Sequence, residues 1–328
     1  MTEAHCSLVR SILGFREQKL PFTYLGVLLF RGRATCALFD GLLSKMRHSL
    51  FHWSSKMLSM GGKIFLKHHV PCSLPIYWLQ VLSPPGAVVA SLGKICNAFL
   101  CDNSIETRRI HWTAWEKVCY PVGEAGLGFC SFEVVVDVFS CKLWWYLREN
   151  KTIWATYMHS KYIKSNHPSL VAVDCPSAIW HRLAKIRDLA EGNIRWSLGE
   201  GLVDFWHDRW CTDVPLAALV PGSARPHMLV EEFYRTSDWD KHRLRQLLPG
   251  HIVAQILKLR IFPGLKDMMV WGVSSMGKFS VASSWAHVRC KRALFSVYTL
   301  IWSSVVPLKV SFFTWRLLHR WVPLDRHL

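Results

Sequence analysis

The chain has 328 residues, enough for two domains or one large one, and 51% of them are hydrophobic, which excludes disorder by composition. It carries 40 Lys and Arg against 23 Asp and Glu, a formal charge of +17, and the first 70 residues contribute +7 of that, from ten basic and three acidic side chains. This balance favours a polyanionic partner, most often nucleic acid; the alternative is a basic globular protein without such a ligand.

The first 20 residues contain charged side chains and no long apolar core, so no signal peptide is predicted. The 11 cysteines include no C-x-x-C pair, and an odd number of thiols is typical of a reduced, intracellular chain. We therefore expect a nuclear or cytoplasmic protein that is not secreted. The uncharged stretch at 68–93 is interrupted by prolines, so no membrane partner is expected.

The first element in chain order is an extended apolar segment. Pro21 disfavours helical geometry at the residue before it, and 22–30 is rich in aromatic and branched side chains. These features predict a strand or a hairpin arm. Gly32, between Arg31 and Arg33, predicts a turn.

An amphipathic helix is predicted to follow at 37–58. Its apolar residues recur every three or four positions and include Leu42, Met46 and Leu50, which places them on one face. Several basic side chains, among them Lys45, lie off that face.

Further along the chain the patterns predict mainly helices. The predicted helices lie at 88–100, 132–154, 177–190, 238–248, 250–259, 282–291 and 307–321. Two short strands are predicted around Gly199–Gly201, and a hairpin is predicted at 268–281 with Gly277 in its turn. The expected fold class is therefore α+β, mainly α with short β-hairpins.

Five groups of residues stand out in order along the chain. They are Leu20-Pro21-x-x-Tyr24-Leu25-Gly26; Trp53, Lys56 and Leu58-Ser59 with Gly61-Gly62; Ile110-His111-Trp112-x-x-Trp115 and Gly126-Leu127-Gly128; Phe205-Trp206-x-Asp208-x-Trp210; and Trp271, Gly277-Lys278-Phe279-Ser280-Val281 and Trp315-Arg316. Together they resemble the part of plant LINE-type (non-LTR) retrotransposon reverse transcriptases that follows the polymerase palm.

The resemblance implies three regions. A primer-grip edge with a helical thumb-like region would occupy 1–150, a connecting region 151–265, and a truncated small C-terminal module, the start of the reverse-transcriptase zinc-binding module, 266–328. The chain departs from the family pattern at Cys101, where tryptophan is frequent, and at Ala125, where glycine is usual. Both departures indicate drift without forbidding the fold.

The resemblance also implies a missing catalytic centre. The family's paired catalytic aspartates lie upstream of the first matched group, and no Tyr-x-Asp-Asp occurs here. The Cys/His knuckle that binds zinc in the full family module would follow Arg316, and no such cluster occurs before Leu328. We therefore expect no catalytic residue, no metal ligand, no cofactor and no enzymatic activity from this fragment.

The expected activity is at most sequence-independent binding of nucleic acid, as an RNA–DNA or DNA duplex held through its backbone. The candidate binding residues are Tyr24, Gly26, Arg31, Arg33, Lys45, Arg47, Lys56, Lys63 and Lys67. Their other interpretation is a solubilising face over an apolar helix. No small-molecule substrate is evident. Two alternatives for the whole chain are a decayed transposon product without function and a zinc-binding or protein-interaction module.

Two further patterns favour structural roles. Asp204 and Asp208 lie four residues apart and could hold a metal ion, but a two-metal site needs more ligands, so we favour a surface position and a hydrogen-bonded Asp208 between two tryptophans. Nine of the 17 tryptophans, at positions 53, 112, 115, 144, 206, 210, 271, 302 and 315, could stack on bases, although most of them occupy apolar periodic positions, which predicts core packing.

Overall fold

Helices predominate in the described part of the chain, and its strands are short. The computed structural model describes residues 8–9, 11–14, 19–54, 62–64, 73–101, 113–172, 177–220, 222, 225–235, 238–262 and 264–321. The helices are Asp40–Ser54 (α1), Ile76–Val81 (α2), Gly86–Cys101 (α3), Trp115–Cys119 (α4), Phe132–Glu149 (α5), Ile153–Met158 (α6), Ala178–Glu191 (α7), Leu216–Leu219 (α8), Lys241–Leu247 (α9), Gly250–Ile256 (α10), Val281–Val288 (α11), Ser296–Ile301 (α12) and Leu308–Leu318 (α13). The strands are Phe22–Tyr24 (β1), Val27–Leu29 (β2), Ile194–Ser197 (β3), Tyr234–Arg235 (β4), Asp238–Trp239 (β5) and Met268–Trp271 (β6).

The strands pair in three separate antiparallel sheets of two strands each. β1 and β2 lie within the segment predicted as a single strand or hairpin arm, and its extended character is confirmed. The prediction of one arm is wrong, because the segment is divided into a complete hairpin in which Tyr24 pairs with Val27 and the turn contains Gly26 at φ +81°. That left-handed backbone conformation favours glycine. β4 pairs with β5, and β3 pairs with β6. The predicted α+β class, mainly helical with short hairpins, is confirmed.

The predicted hairpin at 268–281 is wrong in its pairing. β6 forms the first arm, but its partner is β3, with Trp271 opposite Ile194. A turn does follow β6, since Gly277 has φ +69° and its carbonyl accepts a hydrogen bond from the Trp271 N–H at 2.7 Å. The strand predicted after Gly201 is also absent; the backbone there turns, with one isolated bridge from Asp204 to residue 229. Trp271 and Ile194 are both buried, so packing selects the distant partner.

The chain divides into two compact units, one formed by 1–133 together with 291–328 and the other by 134–290. These boundaries differ from the limits at 150 and 265 that the resemblance to the retrotransposon family implies for the three regions. The three-region division therefore stays a prediction.

In the first unit α1 packs against α3. The predicted apolar face of α1 is buried at Leu42, Met46 and Leu50, and α3 contributes Leu92 and Phe99 to the core. Fully burying a large apolar side chain contributes about 1.5–3 kcal/mol, so this helix pair supplies much of the unit's stability.

The loop from Gly123 to Gly128 connects to the C-terminal segment within the same unit. The Ala125 carbonyl accepts a hydrogen bond from the Trp315 indole at 2.9 Å and lies 2.9 Å from Nε2 of His319. The Glu124 carboxylate accepts the Arg292 backbone N–H at 3.0 Å. A loop that is local in sequence is thus held by residues far along the chain.

The second unit has two buried clusters rich in aromatic side chains. One contains Trp144, Trp180 and Trp271, and the other packs Phe205 on Phe233 with ring centroids 4.0 Å apart. The predicted core role of the tryptophans is confirmed for the buried side chains at positions 115, 144, 206, 210, 271 and 315. Positions 53 and 112 lie outside the side chains that the structure describes.

None of the helices that the structure describes combines the length and the apolar character needed to cross a bilayer.

We predict that Gly126→Ala destabilises the protein by about 3 kcal/mol or more. A Cβ at Gly126 would lie 1.9 Å from the Tyr120 carbonyl oxygen, and backbone cannot yield as a flexible side chain does, so the cost exceeds the usual 1–3 kcal/mol of overpacking. Denaturant unfolding of purified protein measures the change.

The matched control is Gly41→Ala in α1, where an added Cβ meets nothing within 4 Å. Because alanine is the better helix former, this control should be stabilised by up to about 1 kcal/mol. Equal stability of the two variants would contradict the close approach at Gly126.

Candidate nucleic-acid interface

The hairpin β1–β2 and the turn after it present exposed candidate residues. Tyr24 at the end of β1 is 59% exposed, next to Gly26 in the turn. Arg31 and Arg33 follow β2 and are exposed on either side of Gly32, which has φ +93°. This left-handed glycine lets the chain turn between the two guanidinium groups.

Helix α1 adds two exposed cations. Lys45 and Arg47 are exposed and lie off the face that buries Leu42 and Met46, as the periodicity predicted. Between residues 19 and 51 the sequence contains five Lys and Arg and one acidic residue, Asp40. We refer to Arg31, Arg33, Lys45 and Arg47 as the hairpin–helix cations.

Lys63 is placed differently from the other candidates. Its side chain is 1% exposed, and Nζ lies 5.6 Å from the centroid of the Phe99 ring. A lysine over an aromatic face is stabilised by the ring's negative quadrupole, and its methylene stem adds apolar contact. Lys63 therefore lies in the core beside α3, away from any surface that a phosphate could reach. Lys56 and Lys67 lie outside the described residues.

The carboxylates of Asp204 and Asp208 are both buried, at 5% exposure each. Oδ1 of Asp204 accepts the backbone N–H groups of Trp206 at 3.0 Å and His207 at 2.7 Å. Oδ2 of Asp208 accepts the Asp204 N–H at 2.9 Å. The favoured interpretation of a hydrogen-bonded Asp208 is confirmed, whereas the expected surface position of Asp204 is wrong because this turn folds into the aromatic core.

Asp208 belongs to a network of buried charges. Its Oδ1 accepts from the Arg148 guanidinium and lies 3.1 Å from Nε2 of His167. Arg148 Nε also lies 3.1 Å from the carboxylate of Glu191, whose Oε1 accepts the Trp144 indole N–H at 2.8 Å. We refer to these groups as the Arg148 network.

The Arg148 network shifts the pKa of its members. Burial by itself raises the pKa of Asp208. The Arg148 charge and the His167 hydrogen bond outweigh burial and lower the pKa to about 2. Burial disfavours the Arg148 charge, and the carboxylates of Asp208 and Glu191 nevertheless raise its pKa above the ordinary value. Both groups are thus held in their charged forms.

These hydrogen bonds decide what the two aspartates can do. Three of their four carboxylate oxygens accept hydrogen bonds, and the fourth, Oδ2 of Asp204, is buried without a hydrogen-bond partner among the described residues. One such oxygen is far from the six or so oxygen ligands that a hard cation needs. Within the ranges that the structure describes, no group of three or more His, Cys, Asp or Glu is placed to hold a metal ion. Sequence reasoning missed Arg148, His167 and Glu191, because no local motif links residues that only folding brings together.

Comparison with known proteins gives one family match and two relatives. Residues 279–328 match the family described as zinc-binding in reverse transcriptase. A “Putative ribonuclease H protein” of Arabidopsis thaliana is 25% identical over 295 residues, which cover 84% of this chain and 47% of that protein. An “Uncharacterized mitochondrial protein” of the same plant is 24% identical over 157 residues, which cover 45% of this chain and 99% of that protein. No solved structure matches.

The matches relate the chain to a reverse-transcriptase element with relatives in a plant. The chain spans about half the length of the first of these relatives. The matched family is a zinc-binding region and not a polymerase catalytic domain, which is compatible with a chain that is not an enzyme.

The described residues of the matched segment do not fit a zinc ion. A structural zinc site needs four Cys or His ligands in tetrahedral arrangement. His287 lies 3.0 Å from the side-chain amide of Asn193, His319 faces a backbone carbonyl, and Cys290 is exposed in a loop. These described groups therefore do not form the ligand set of a zinc ion.

We predict that Asp208→Asn destabilises the protein by about 3–5 kcal/mol at pH 7, because it leaves the Arg148 charge buried without its main partner. Because the folded-state pKa of Asp208 is lowered from 3.8 to about 2, its stabilising contribution is complete above pH 4 and is lost as the pH falls towards 2. Between pH 4 and pH 2 the wild-type protein should therefore lose on the order of 2 kcal/mol of stability. The variant lacks this contribution at every pH and should not show that loss.

Urea unfolding at pH 7, 4 and 2.5 measures both effects. Asp213→Asn serves as the control, since Asp213 pairs with Arg195 at 2.8 Å but is 83% exposed. An exposed pair contributes about 0–1 kcal/mol, so this variant should unfold almost as the wild type does. Identical curves for the two variants would contradict the buried network.

Proposed function

We propose that the chain is the part of a LINE-type, non-LTR retrotransposon reverse transcriptase that follows the palm. We further propose that it binds the backbone of nucleic-acid duplexes without reading their sequence. The ordered groups of matching residues and the family match at 279–328 support the first part. The exposed hairpin–helix cations support the second.

The observation that carries the binding proposal is the charge of the segment that holds the hairpin–helix cations. Four Lys and Arg side chains are exposed on the turn that follows the hairpin and on α1, with one carboxylate, Asp40, in the same segment. Duplex nucleic acid carries a phosphate about every 1.7 Å along its axis, so such cations gain affinity by releasing condensed counterions. Contacts of this kind position a duplex and carry no base information.

Tyr24 adds an exposed aromatic group to the same segment of the chain. It is 59% exposed at the turn end of the hairpin, next to Gly26, where the backbone can approach a ligand closely; Arg31 and Arg33 follow β2 at the opposite end of the hairpin. An exposed aromatic ring suits contact with sugar and backbone at a duplex end. Lys63 is not included in the proposed surface, because its side chain is buried.

We predict that binding to a labelled RNA–DNA duplex weakens steeply with salt. Replacing all four hairpin–helix cations by glutamate should lower the slope of log K against log salt by about 3–4, since each phosphate contact contributes about 0.9. Fluorescence anisotropy from about 50 to 200 mM salt measures the slope.

The matched control replaces four exposed lysines of the second unit, Lys185, Lys258, Lys266 and Lys278, by glutamate. It changes the net charge by the same amount and should retain most of the slope. Equal losses in both quadruple variants would show that general charge, and not the hairpin–helix surface, attracts the duplex.

We also predict no incorporation of nucleotides in a primer-extension assay with Mg²⁺. Phosphoryl transfer of this kind needs two metal ions held by several carboxylates, and three of the four oxygens of the buried Asp204 and Asp208 accept hydrogen bonds, which leaves only Oδ2 of Asp204. Extension that survives Asp204→Asn and Asp208→Asn would indicate a contaminating polymerase, whereas extension abolished by either would overturn the proposal.

A decayed transposon product is the second candidate, favoured by one observation. The hairpin exposes apolar side chains, with Leu20 at 50%, Leu25 at 73% and Leu29 at 39% exposure. Exposed apolar strands with free edges promote aggregation. The unfolding measurement of the wild-type protein decides between the two, since a cooperative transition supports a folded binding module and its absence supports decay.

A further inference from the structure

The second unit contains an open cleft of about 630 Å³ that is separate in sequence from the hairpin–helix cations. Its lining comes from strand β3, the neighbouring stretch at 209–213, the end of α10, the loop at 259–262 and Val270 of β6. The Trp196 N–H donates to the Arg209 carbonyl at 2.9 Å, which holds the second stretch beside β3. Its volume lies in the range of about 300–1,000 Å³ that small ligands occupy.

The cleft is strongly basic. Arg195, Arg209 and Arg260 all line it, and the one carboxylate among its lining residues is Asp213. Asp213 pairs with Arg195 at 2.8 Å in an exposed position. Three guanidinium groups against one carboxylate leave an excess of two positive charges for an anionic ligand to neutralise.

Arg209 is only partly compensated by the groups around it. It donates to the carbonyl of Gly192, while its buried Nε has no hydrogen-bond partner among the described residues. Burial and the nearby Arg195 charge lower the pKa of Arg209, which Asp213 and Glu191 only partly offset. An anion bound between the guanidinium groups would relieve this repulsion and supply the missing acceptors.

An apolar side accompanies the cations. Phe262 lines the cleft and is 53% exposed, and Leu259 and Val270 line it as well. An aromatic ring left half in water next to arginines offers a stacking face for a flat heterocycle, and stacking of this kind tolerates every base. Gln255 and Ser197 add neutral hydrogen-bonding groups.

We propose that this cleft binds a nucleotide, with its phosphate at the arginines and its base against Phe262. The ligand is supplied either as a free mononucleotide or as one unit of a single strand of nucleic acid. A simple anion would contact the arginines but not Phe262, and an apolar ligand would leave the charges of the arginines unneutralised. The two sides of the cleft together therefore select a phosphate joined to an aromatic ring.

Isothermal titration of the full chain with AMP, adenosine, inorganic phosphate and a short single-stranded oligonucleotide tests the proposal. Using the variant with all four hairpin–helix cations replaced by glutamate keeps the first unit from contributing. AMP should bind at least tenfold more tightly than adenosine or phosphate alone. An oligonucleotide that binds more tightly than AMP and competes with it identifies the single strand as the source; the reverse order identifies the free nucleotide.

Two variants in that background locate the ligand. Phe262→Ala should weaken AMP binding at least about fivefold, because stacking on one aromatic ring contributes about 1–3 kcal/mol. Arg260→Glu should weaken it about tenfold or more, because hydrogen bonds to charged groups contribute about 1.5–3 kcal/mol.

The matched controls are Leu265→Ala and Lys258→Glu, both exposed, close in sequence and outside the lining of the cleft. They should bind AMP as their parent does. Phosphate binding as tight as AMP, an unchanged affinity in Phe262→Ala and Arg260→Glu, or no heat from AMP at millimolar concentration would each overturn the proposal. Since the hairpin–helix cations are absent from every variant, these outcomes do not depend on duplex binding.

Discussion

The carboxylate of Asp208 can be buried only because the guanidinium of Arg148 and the ring of His167 reach it from other parts of the chain. Arg148 in turn lies between Asp208 and Glu191, so one side chain of α5 links the end of α7 with the turn at 204–210. Taking such charges out of water costs several kcal/mol for each ion, and mutual attraction with good hydrogen bonds offsets that cost. A buried ion pair adds little net stability compared with an apolar pair. It does fix the arrangement of the surrounding elements, because any other arrangement would leave a buried charge without its partner. The aromatic clusters of the second unit pack around that arrangement.

The first unit is organised by packing of a different kind. Its helices α1 and α3 pack through apolar faces whose residues recur every three or four positions. The loop at 123–128 is held by side chains from the C-terminal segment. Lys63 illustrates how strongly packing acts here, since a lysine reaches the core by lying over the Phe99 ring. A basic residue near a proposed phosphate-binding surface is therefore not automatically part of that surface, because its neighbours decide whether its ammonium group meets water.

Basic groups occur in two settings in this protein, and the settings suit different ligands. The hairpin–helix cations are exposed, and we propose that they contact the extended phosphate backbone of a duplex. The arginines of the second unit line a cleft together with Phe262 and belong with a single nucleotide unit. The matched family and the relatives assign no ligand to either group of residues. Both proposals are compatible with a relation to a reverse-transcriptase element, whose substrates are nucleic acids. Neither setting contains the carboxylate cluster that polymerase chemistry requires, within the part of the chain that the structure describes.

Local patterns in the sequence were sufficient for the helical character, for the buried face of α1 at Leu42 and Met46, and for the exposure of its cations, because helical periodicity involves neighbouring residues only. The extended character of 22–30 could be predicted from its aromatic and branched residues, but the turn at Gly26 that divides it into β1 and β2 was not predicted. Only the tertiary structure decided that β6 pairs with β3, that Lys63 is buried, and that Arg148 meets Asp208. These contacts join residues far apart in the chain, and their selection depends on which buried surfaces fit together once the whole core has formed, which no local pattern records.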